Sequence, residues 1–315
     1  MDVAVIGAGT MGHALALVYA LGGHSVRLFD NNPEALARAP GLMANALGLL
    51  REGGEVAADW DRQRLSAAVR CVDTLEQAVA GAELVQEAII ETREAKQALF
   101  ARLDALMDVD CILASNTSQL DVFPLVPAAR RARAVIAHWY TPPYLCDLVD
   151  VVPGPETDAG VLRRVADIMT AMGKEPVVFK EFVAGYVANR IQAAIALEVY
   201  DLLDRGVVSA ADIDRSVLHG LALRMPILAV LAKADFTGLA LLNLGVTNRS
   251  YTPPAVRDRC ETLEKLLAEG RTGVMAGKGF FDWGGRSAEE LFRERDAKLL
   301  ALKQALRVIK PMEGA

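Results

Sequence analysis

From residue 2 to about residue 180 the chain alternates short, β-branched apolar runs with stretches of helical periodicity. Residues 3–6, 25–30, 69–72, 84–90, 111–114 and 134–138 read as strands, and 148–152 and 176–179 extend the series. Between them, 11–21 and 92–107 space their apolar residues as helices do, and Pro33 opens another helix, where its fixed φ suits the first turn. Strands apolar on both faces and separated by helices predict a mostly parallel sheet covered on two sides, an α/β fold of the Rossmann, doubly wound type. Past Gly185 the periodicity becomes helical throughout. Val187, Ile191, Ala194, Ile195, Leu197 and Leu202 recur at three- and four-residue spacing, and Ser209 with Asp212 forms a cap for the next helix. Gly220, Pro226, Gly238 and Gly245 punctuate the rest, so an all-α C-terminal domain is expected. The boundary falls near residues 180–185, giving a dinucleotide-binding domain over 1–183 and a helical substrate and dimerisation domain over 184–315. Residues 221–231 and 239–246 offer more apolar surface than a small helical cluster covers, which predicts a homodimer formed through it. Residues 287–307 carry charge at helical spacing and read as a solvated helix.

Composition narrows the function classes. Of 315 residues, 52% are hydrophobic and 23% charged, which is ordinary for a soluble globular enzyme. The net charge of −6 argues against nucleic acid or an anionic membrane as partner, so an anionic substrate needs a locally placed cation. No run of apolar residues is long enough to span a membrane. Cys71, Cys111, Cys146 and Cys260 have no metal-binding or redox spacing and are expected to be reduced and mostly buried, as in a cytoplasmic protein; no metal site is expected.

Gly7-Ala8-Gly9-Thr10-Met11-Gly12 follows the first strand and opens the first helix, and Asp30 ends the next strand. In that context Gly7 permits a tight turn, Gly9 lets the backbone approach a pyrophosphate, and Gly12 lets helix and strand pack closely. The helix N-terminus faces the phosphates. Asp30 accepts the ribose hydroxyls and repels a 2′-phosphate, and Asn31 and Asn32 supply no arginine for one, so NAD is the expected cofactor.

Two later strands end in polar residues: 112–118 in Ser115-Asn116-Thr117-Ser118, and 134–138 in His138. Ligands in open α/β sheets lie beyond the carboxyl ends of the strands, so both ends are expected to face the nicotinamide. Pro142-Pro143 then turns the chain back toward Asp150, close enough to meet the imidazole. His13, directly after Gly12, is placed to approach the cofactor; His24 and His219 read as surface or packing residues.

At these residues the chain resembles the 3-hydroxyacyl-CoA dehydrogenase family. The motifs are GAGTMG (7–12), QEAIIE (86–91) with Lys96, SNTS (115–118), HWYTPP (138–143), LVDVV (148–152), GYVANR (185–190) and GKGFFDW (277–283). The resemblance implies an NAD-binding Rossmann domain followed by a helical dimerisation domain. It implies that His138 is the catalytic base with Asp150 as its acidic partner, that Ser118 and Asn189 contact substrate or cofactor, and that Glu91 and Lys96 lie near NAD. The chemistry agrees: oxidising a secondary alcohol sends a hydride to nicotinamide and a proton to a base titrating near neutrality, which histidine supplies. A carboxylate on the other ring nitrogen fixes the tautomer, and Ser118 and Asn189 can hydrogen-bond the C3 oxygen. Three residues depart from the family pattern. Asp150 replaces the usual glutamate and is one methylene shorter, Thr141 replaces an asparagine expected at the cofactor, and Ala184 replaces a proline.

The family's CoA enzymes carry a lysine-rich segment after the second strand. Here the corresponding stretch, 44–55, has Arg51 as its only cation, which leaves little to hold CoA phosphates. The region 138–157 is closer to a subgroup that contains L-gulonate 3-dehydrogenase (λ-crystallin), carnitine dehydrogenase and a pyridine-ring dehydrogenase. Similar to λ-crystallin, Arg224 in the helical domain is placed to grip a free carboxylate. Trp139 and Tyr140, beside His138, are expected to form an aromatic wall that also suits a cationic or ring substrate. A small non-CoA 3-hydroxy acid is therefore the expected substrate. The alternatives are a 3-hydroxyacyl-CoA thioester and, in another class, a non-catalytic, crystallin-like NAD-binding protein.

Overall fold

The computed structural model describes residues 1–312, and the chain forms two compact units, Met1–Val187 and a second from Ala188 onward. The first is built on eight strands: β1 (Asp2–Ile6), β2 (Ser25–Phe29), β3 (Val69–Cys71), β4 (Leu84–Glu87), β5 (Ile112–Ser115), β6 (Ala134–Trp139), β7 (Leu148–Pro153) and β8 (Glu175–Val178). They form one sheet in the order β3-β2-β1-β4-β5-β6-β7-β8. All neighbours pair in parallel except β6 and β7. The connection 140–147 is too short for the crossover that a parallel pair requires, so β7 returns antiparallel. Chain progression reverses between β1 and β4, which opens a crevice beyond the carboxyl ends of those strands.

Helices cover both faces: α1 (Gly12–Leu21), α2 (Pro33–Glu52), α3 (Arg62–Ala68), α4 (Leu75–Val79), α5 (Arg93–Leu106) and α6 (Ala159–Ala171). On one face Leu15, Leu17 and Tyr19 of α1 pack with Val3, Val5, Trp139, Val149 and Met169. On the other, Phe100 and Leu103 of α5 pack with Ile6, Ile136, Val152 and Tyr186. The expected elements recur with small shifts, and Asn32 caps α2 just before Pro33. β4 stops at Glu87 instead of running to residue 90, because Glu87 turns its carboxylate onto the Ile89 amide and leaves Ile90 exposed. Helices α3, α4 and α6 had no counterpart in the periodicity. Each starts at a polar cap, Asp61, Thr74 and Asp158, which accepts from Arg64 N, Gln77 N and Gly160 N. Cys71 is exposed, contrary to expectation, because β3 lies at the sheet's edge.

The second unit comprises α7 (Ala188–Asp204), α8 (Ala210–Ser216), a π-helical turn at Val217–Ala222, α9 (Met225–Leu228), α10 (Leu231–Thr237), α11 (Leu239–Thr247), α12 (Glu261–Ala268) and α13 (Ala288–Ile309). The Ser209 hydroxyl accepts from Asp212 N at the start of α8, and Ser287 with Glu290 makes a reciprocal box at the start of α13. Its interior is slight: Ile213, Leu291 and Leu300 are its buried apolar side chains, and α7 buries none. A cavity of about 440 Å³ is lined by Leu203, Ile213, Leu266, Phe280 and Trp283. Among the described residues no single helix is long and apolar enough to cross a membrane.

Candidate active site

The glycine turn between β1 and α1 distinguishes two requirements. Gly7 has φ of +104°, and a Cβ there would lie 2.5 Å from the Ala88 carbonyl oxygen; one at Gly12 would lie 1.6 Å from that of Gly7. The protein itself demands both glycines. A Cβ at Gly9 would meet nothing within 4 Å. That position is open to a ligand, and a pyrophosphate resting on the turn would come against it. No side chain caps the first turn of α1. The Asp30 carboxylate accepts from Ala8 N at 2.6 Å and Asn32 N at 2.7 Å, which fixes it beside the turn. Thr10 and Gly9 are exposed, and Met11 is half-buried. The His13 Nδ1 sits 2.6 Å from the Gly9 carbonyl; burial pushes this imidazole below its ordinary value, against the opposing pull of that carbonyl.

The second half of the site is the end of β6 and the start of β7. The antiparallel register sets His138 directly opposite Asp150, so both side chains stand on the same face. Both are buried, and Nδ1 lies 3.4 Å from Asp150 Oδ2. Alternation along β6 sends Tyr140 to this face as well, where its hydroxyl donates to the same Oδ2 at 2.6 Å. The His138 ring lies between two phenols, 4.6 Å from Tyr140 and 4.8 Å from Tyr186, centroid to centroid. Thr141 follows, and its hydroxyl meets Met11 Sδ at 3.2 Å, which ties the end of β6 to the glycine turn.

One expected role needs correction here. Tyr140 stands beside the imidazole, and its hydroxyl also binds Asp150. Trp139 is not beside the substrate at all: it points to the opposite face, 2% exposed, with its ring against Tyr19 and its Nε1 donating to Gln86 Oε1. The same alternation that aims His138 into the site aims Trp139 into the core.

The carboxyl ends of β4 and β5 carry a buried polar network. Glu87 accepts from Lys96 Nζ at 2.6 Å, Ser115 Oγ at 2.5 Å and Ile89 N at 2.8 Å. Lys96, expected near NAD, is 1% exposed and spent on this pair, so it supports the loop from beneath. Glu91, expected at the cofactor too, accepts from Thr117 Oγ1 and from the amides of Ser118, Gln119 and Leu120, all between 2.6 and 3.0 Å. Burial works to raise this carboxyl, but those hydrogen bonds outweigh it and hold it at about 2. The Ser118 hydroxyl, half-buried, donates to Glu91 Oε2 at 2.7 Å. Asn116 Oδ1 accepts from Trp139 N and joins the ends of β5 and β6.

Tyr186 was not foreseen. It is fully buried, its hydroxyl donates to the Thr117 carbonyl at 2.7 Å, and Gly185 N donates to the Ser118 carbonyl. Burial first, then the Glu91 and Asp150 carboxylates, push its hydroxyl upward, so it stays a donor. Its φ of +51° is a conformation that costs a non-glycine residue roughly 1–3 kcal/mol, offset here by that bond and by packing on His138, Phe179 and Phe182. The pinning of Gly185 and Tyr186 explains why the seam between units follows Val187 and not residue 183. The signal available was Gly185, a left-handed turn ahead of an aromatic residue. Asn189, half-buried, lies in the first turn of α7 in the second unit. Arg224, exposed in that unit, donates through Nε to the Gly220 carbonyl of its own turn.

A glycine turn at the β1/β4 reversal, with an imidazole paired to a carboxylate at a neighbouring strand end, defines a nicotinamide-dependent oxidoreductase. Residues 2–182 match the 3-hydroxyacyl-CoA dehydrogenase NAD binding domain and residues 185–283 the 3-hydroxyacyl-CoA dehydrogenase C-terminal domain, and the chain belongs to that family. Its cofactor is NAD. The 5-formyl-3-hydroxy-2-methylpyridine 4-carboxylate 5-dehydrogenase of Mesorhizobium japonicum is 31% identical, over 97% of this chain and 98% of its own length. The L-carnitine dehydrogenase of Streptomyces griseus is 32% identical, over 96% of this chain and 89% of its own. A solved 5-formyl-3-hydroxy-2-methylpyridine 4-carboxylic acid 5-dehydrogenase, described as an NAD+ dependent dismutase, superposes with a TM-score of 0.88 at 28% identity, covering 97% of this chain and 98% of that one.

Proposed function

We propose that this chain interconverts a small 3-hydroxy acid and its keto form, with His138 as general acid and base and with a free carboxylate on the substrate in place of a CoA thioester. The observation that carries the reading is the cross-strand pair His138–Asp150, buried on one face at the strand ends, with Thr141 linking it to the glycine turn. Gly7, Ala8, Gly9, Thr10, Met11 and Gly12 hold the pyrophosphate, and Asp30 the adenosine ribose. When bound, NAD accepts or returns the hydride. His138 takes the hydroxyl proton during oxidation and gives it back during reduction. Asp150 on Nδ1 orients the ring and leaves Nε2 for the substrate. Ser118 polarises the reacting oxygen, and Glu91 anchors the loop that carries it.

Two facts favour a substrate without CoA. The 44–55 segment, mostly the second half of α2, carries Arg51 alone, and its guanidinium reaches the Ala58 carbonyl. Two relatives similar over nearly the whole chain are named for small carboxylate-bearing substrates, a pyridine carboxylate and carnitine. Arg224 is the cation we assign to that carboxylate. The exposed apolar residues of α10 and α11 support a homodimer through the second unit.

The test is NADH formation with L-carnitine, L-gulonate, L-3-hydroxybutyrate, 5-formyl-3-hydroxy-2-methylpyridine 4-carboxylate and 3-hydroxybutyryl-CoA. Turnover on a free acid, lost on the order of a thousandfold in His138→Gln, is the expected result. Arg224→Leu raises KM for that acid about tenfold or more with little change in kcat. Preference for the thioester overturns the substrate class, and NAD binding without turnover on any of the five overturns the catalytic reading.

A further inference from the structure

Asp150 Oδ2 has two claimants. The Tyr140 hydroxyl is at 2.6 Å, well inside hydrogen-bond range, while His138 Nδ1 is at 3.4 Å, on its outer edge. The tyrosine, not the histidine, holds the carboxylate most closely. Tyr140 also stands edge-on to the imidazole, with ring planes at 75°, so it touches both members of the pair. Neither composition nor the spacing of His138 and Asp150 indicates such a third group.

The physical consequence follows from charge. A carboxylate that already accepts a short O–H bond has less negative charge to offer a second donor, and that donor is imidazolium when His138 is protonated. Burial first, then the bond to Asp150 and its charge, push the Tyr140 hydroxyl above its ordinary range, so it donates throughout the working pH range. The titratable groups around the pair are Tyr140 from β6, Asp150 from β7 and Tyr186 from the segment after β8, with the Glu91 and Asp121 carboxylates acting on Tyr186 through space.

We propose that Tyr140 is a positioning residue: by donating to Asp150 Oδ2 it holds the carboxylate off the imidazole and weakens its grip on the imidazolium that forms when His138 takes up a proton. The inference rests on the reading of His138 as proton carrier. It makes the site a three-group relay in which Tyr140 acts through Asp150 and touches neither substrate nor cofactor. Removing the hydroxyl lets Asp150 close on Nδ1 and stabilise the imidazolium, so the proton-accepting form appears only at higher pH.

The experiment uses Tyr140→Phe, which keeps the ring, alone and in an Asp150→Asn background. The first readout is the NMR titration of the histidine side chains in the full chain, with the His138 resonance assigned by its absence in His138→Gln. In Tyr140→Phe its midpoint moves upward by about half a pH unit, and in the Asp150→Asn background the same change moves it by much less. The second readout is the pH profile of kcat/KM for oxidation of whichever acid turns over. Its acid limb moves up by the same amount, a loss of about threefold along that limb that is recovered at alkaline pH. The dissociation constant for NADH stays within about twofold. A midpoint unmoved in Tyr140→Phe, or moved equally with Asp150 and with Asn at position 150, overturns the proposal and reduces Tyr140 to packing. Failure of every substrate to turn over counts against the proposed function alone, since the titration decides this inference without turnover.

Discussion

The two units of this chain are both built from regular elements and are very unequal in what they bury. In the first, both faces of the sheet are sealed: α1 is buried along most of its length, and Trp139, Tyr186 and Phe100 are each at most 2% exposed. In the second, α7 buries none of its 17 residues, while Leu231 is 81% and Leu239 62% exposed. Helices hold their shape in water mainly through packing of an apolar face, so helices without an interior need one supplied from elsewhere. The contrast divides the labour: the first unit holds a sealed core and the His138–Asp150 pair, and the proposed homodimer is what would complete the core of the second.

The sharpest way to test the first half of that contrast is to break the buried pair beneath the site. Lys96→Met leaves Glu87 buried with only Ser115 and the Ile89 amide, which costs about 3–5 kcal/mol. The melting temperature should fall by roughly 6–12 °C at every protein concentration. The double variant Glu87→Leu/Lys96→Met should regain much of that loss, because no charge is then stranded. A Lys96→Met protein as stable as the parent means that the first unit does not depend on its interior in the way described.

A charge on the second unit comes next in size. Leu239→Glu should shift the chain from dimer to monomer in sedimentation equilibrium, at a cost of about 2 kcal/mol per protomer. It should also remove the dependence of the melting temperature on protein concentration. The cofactor should still bind. If the parent is already monomeric with a concentration-independent melt, the contrast between self-sufficient and dependent units collapses.

How much of this could be read from residues differs between the units for physical reasons. The glycine turn was legible because Gly7 and Gly12 answer steric demands that sequence spacing encodes. The His138–Asp150 pair was legible because Pro142-Pro143 forces a tight return and the apolar run around Asp150 has to be a strand. The orientation of Trp139 and Tyr140 was missed by ending the strand at His138. One residue more of β6 puts them on opposite faces by alternation. Lys96 and Glu91 carried family roles, but their carboxylate and loop partners lie on other elements, and no local pattern shows that a charge is already spent. Of the residues that β4 was expected to include, Ile89 packs against the core outside the strand and Ile90 is exposed. In the second unit the periodicity announced helices, and the apolar surplus of residues 221–231 and 239–246 announced how little they bury.

The smallest effect expected concerns that loop, and its sign follows from how Glu91 is held. Its carboxyl stands at about 2 in the folded protein against an ordinary 4.5, so the folded state prefers the ionised form. A depressed value adds stability that is fully present above about pH 4.5 and is lost as the pH falls through 2. Glu91→Gln keeps the shape and one carbonyl acceptor but loses the charge that gathers the Ser118, Gln119 and Leu120 amides. At pH 7 it should destabilise by no more than about 1 kcal/mol, because Glu91 is exposed enough for solvent to screen the interaction. Parent and variant should converge as the pH is lowered from 5 toward 3, read as the difference between their melting temperatures across that range. The same substitution frees the Ser118 hydroxyl, whose donation to Glu91 now fixes its direction, so kcat should fall at pH 7 with NADH affinity nearly unchanged. A difference in melting temperature that stays constant down to pH 3 means the loop is held by shape alone; charge at Glu91 then has no part in aiming Ser118.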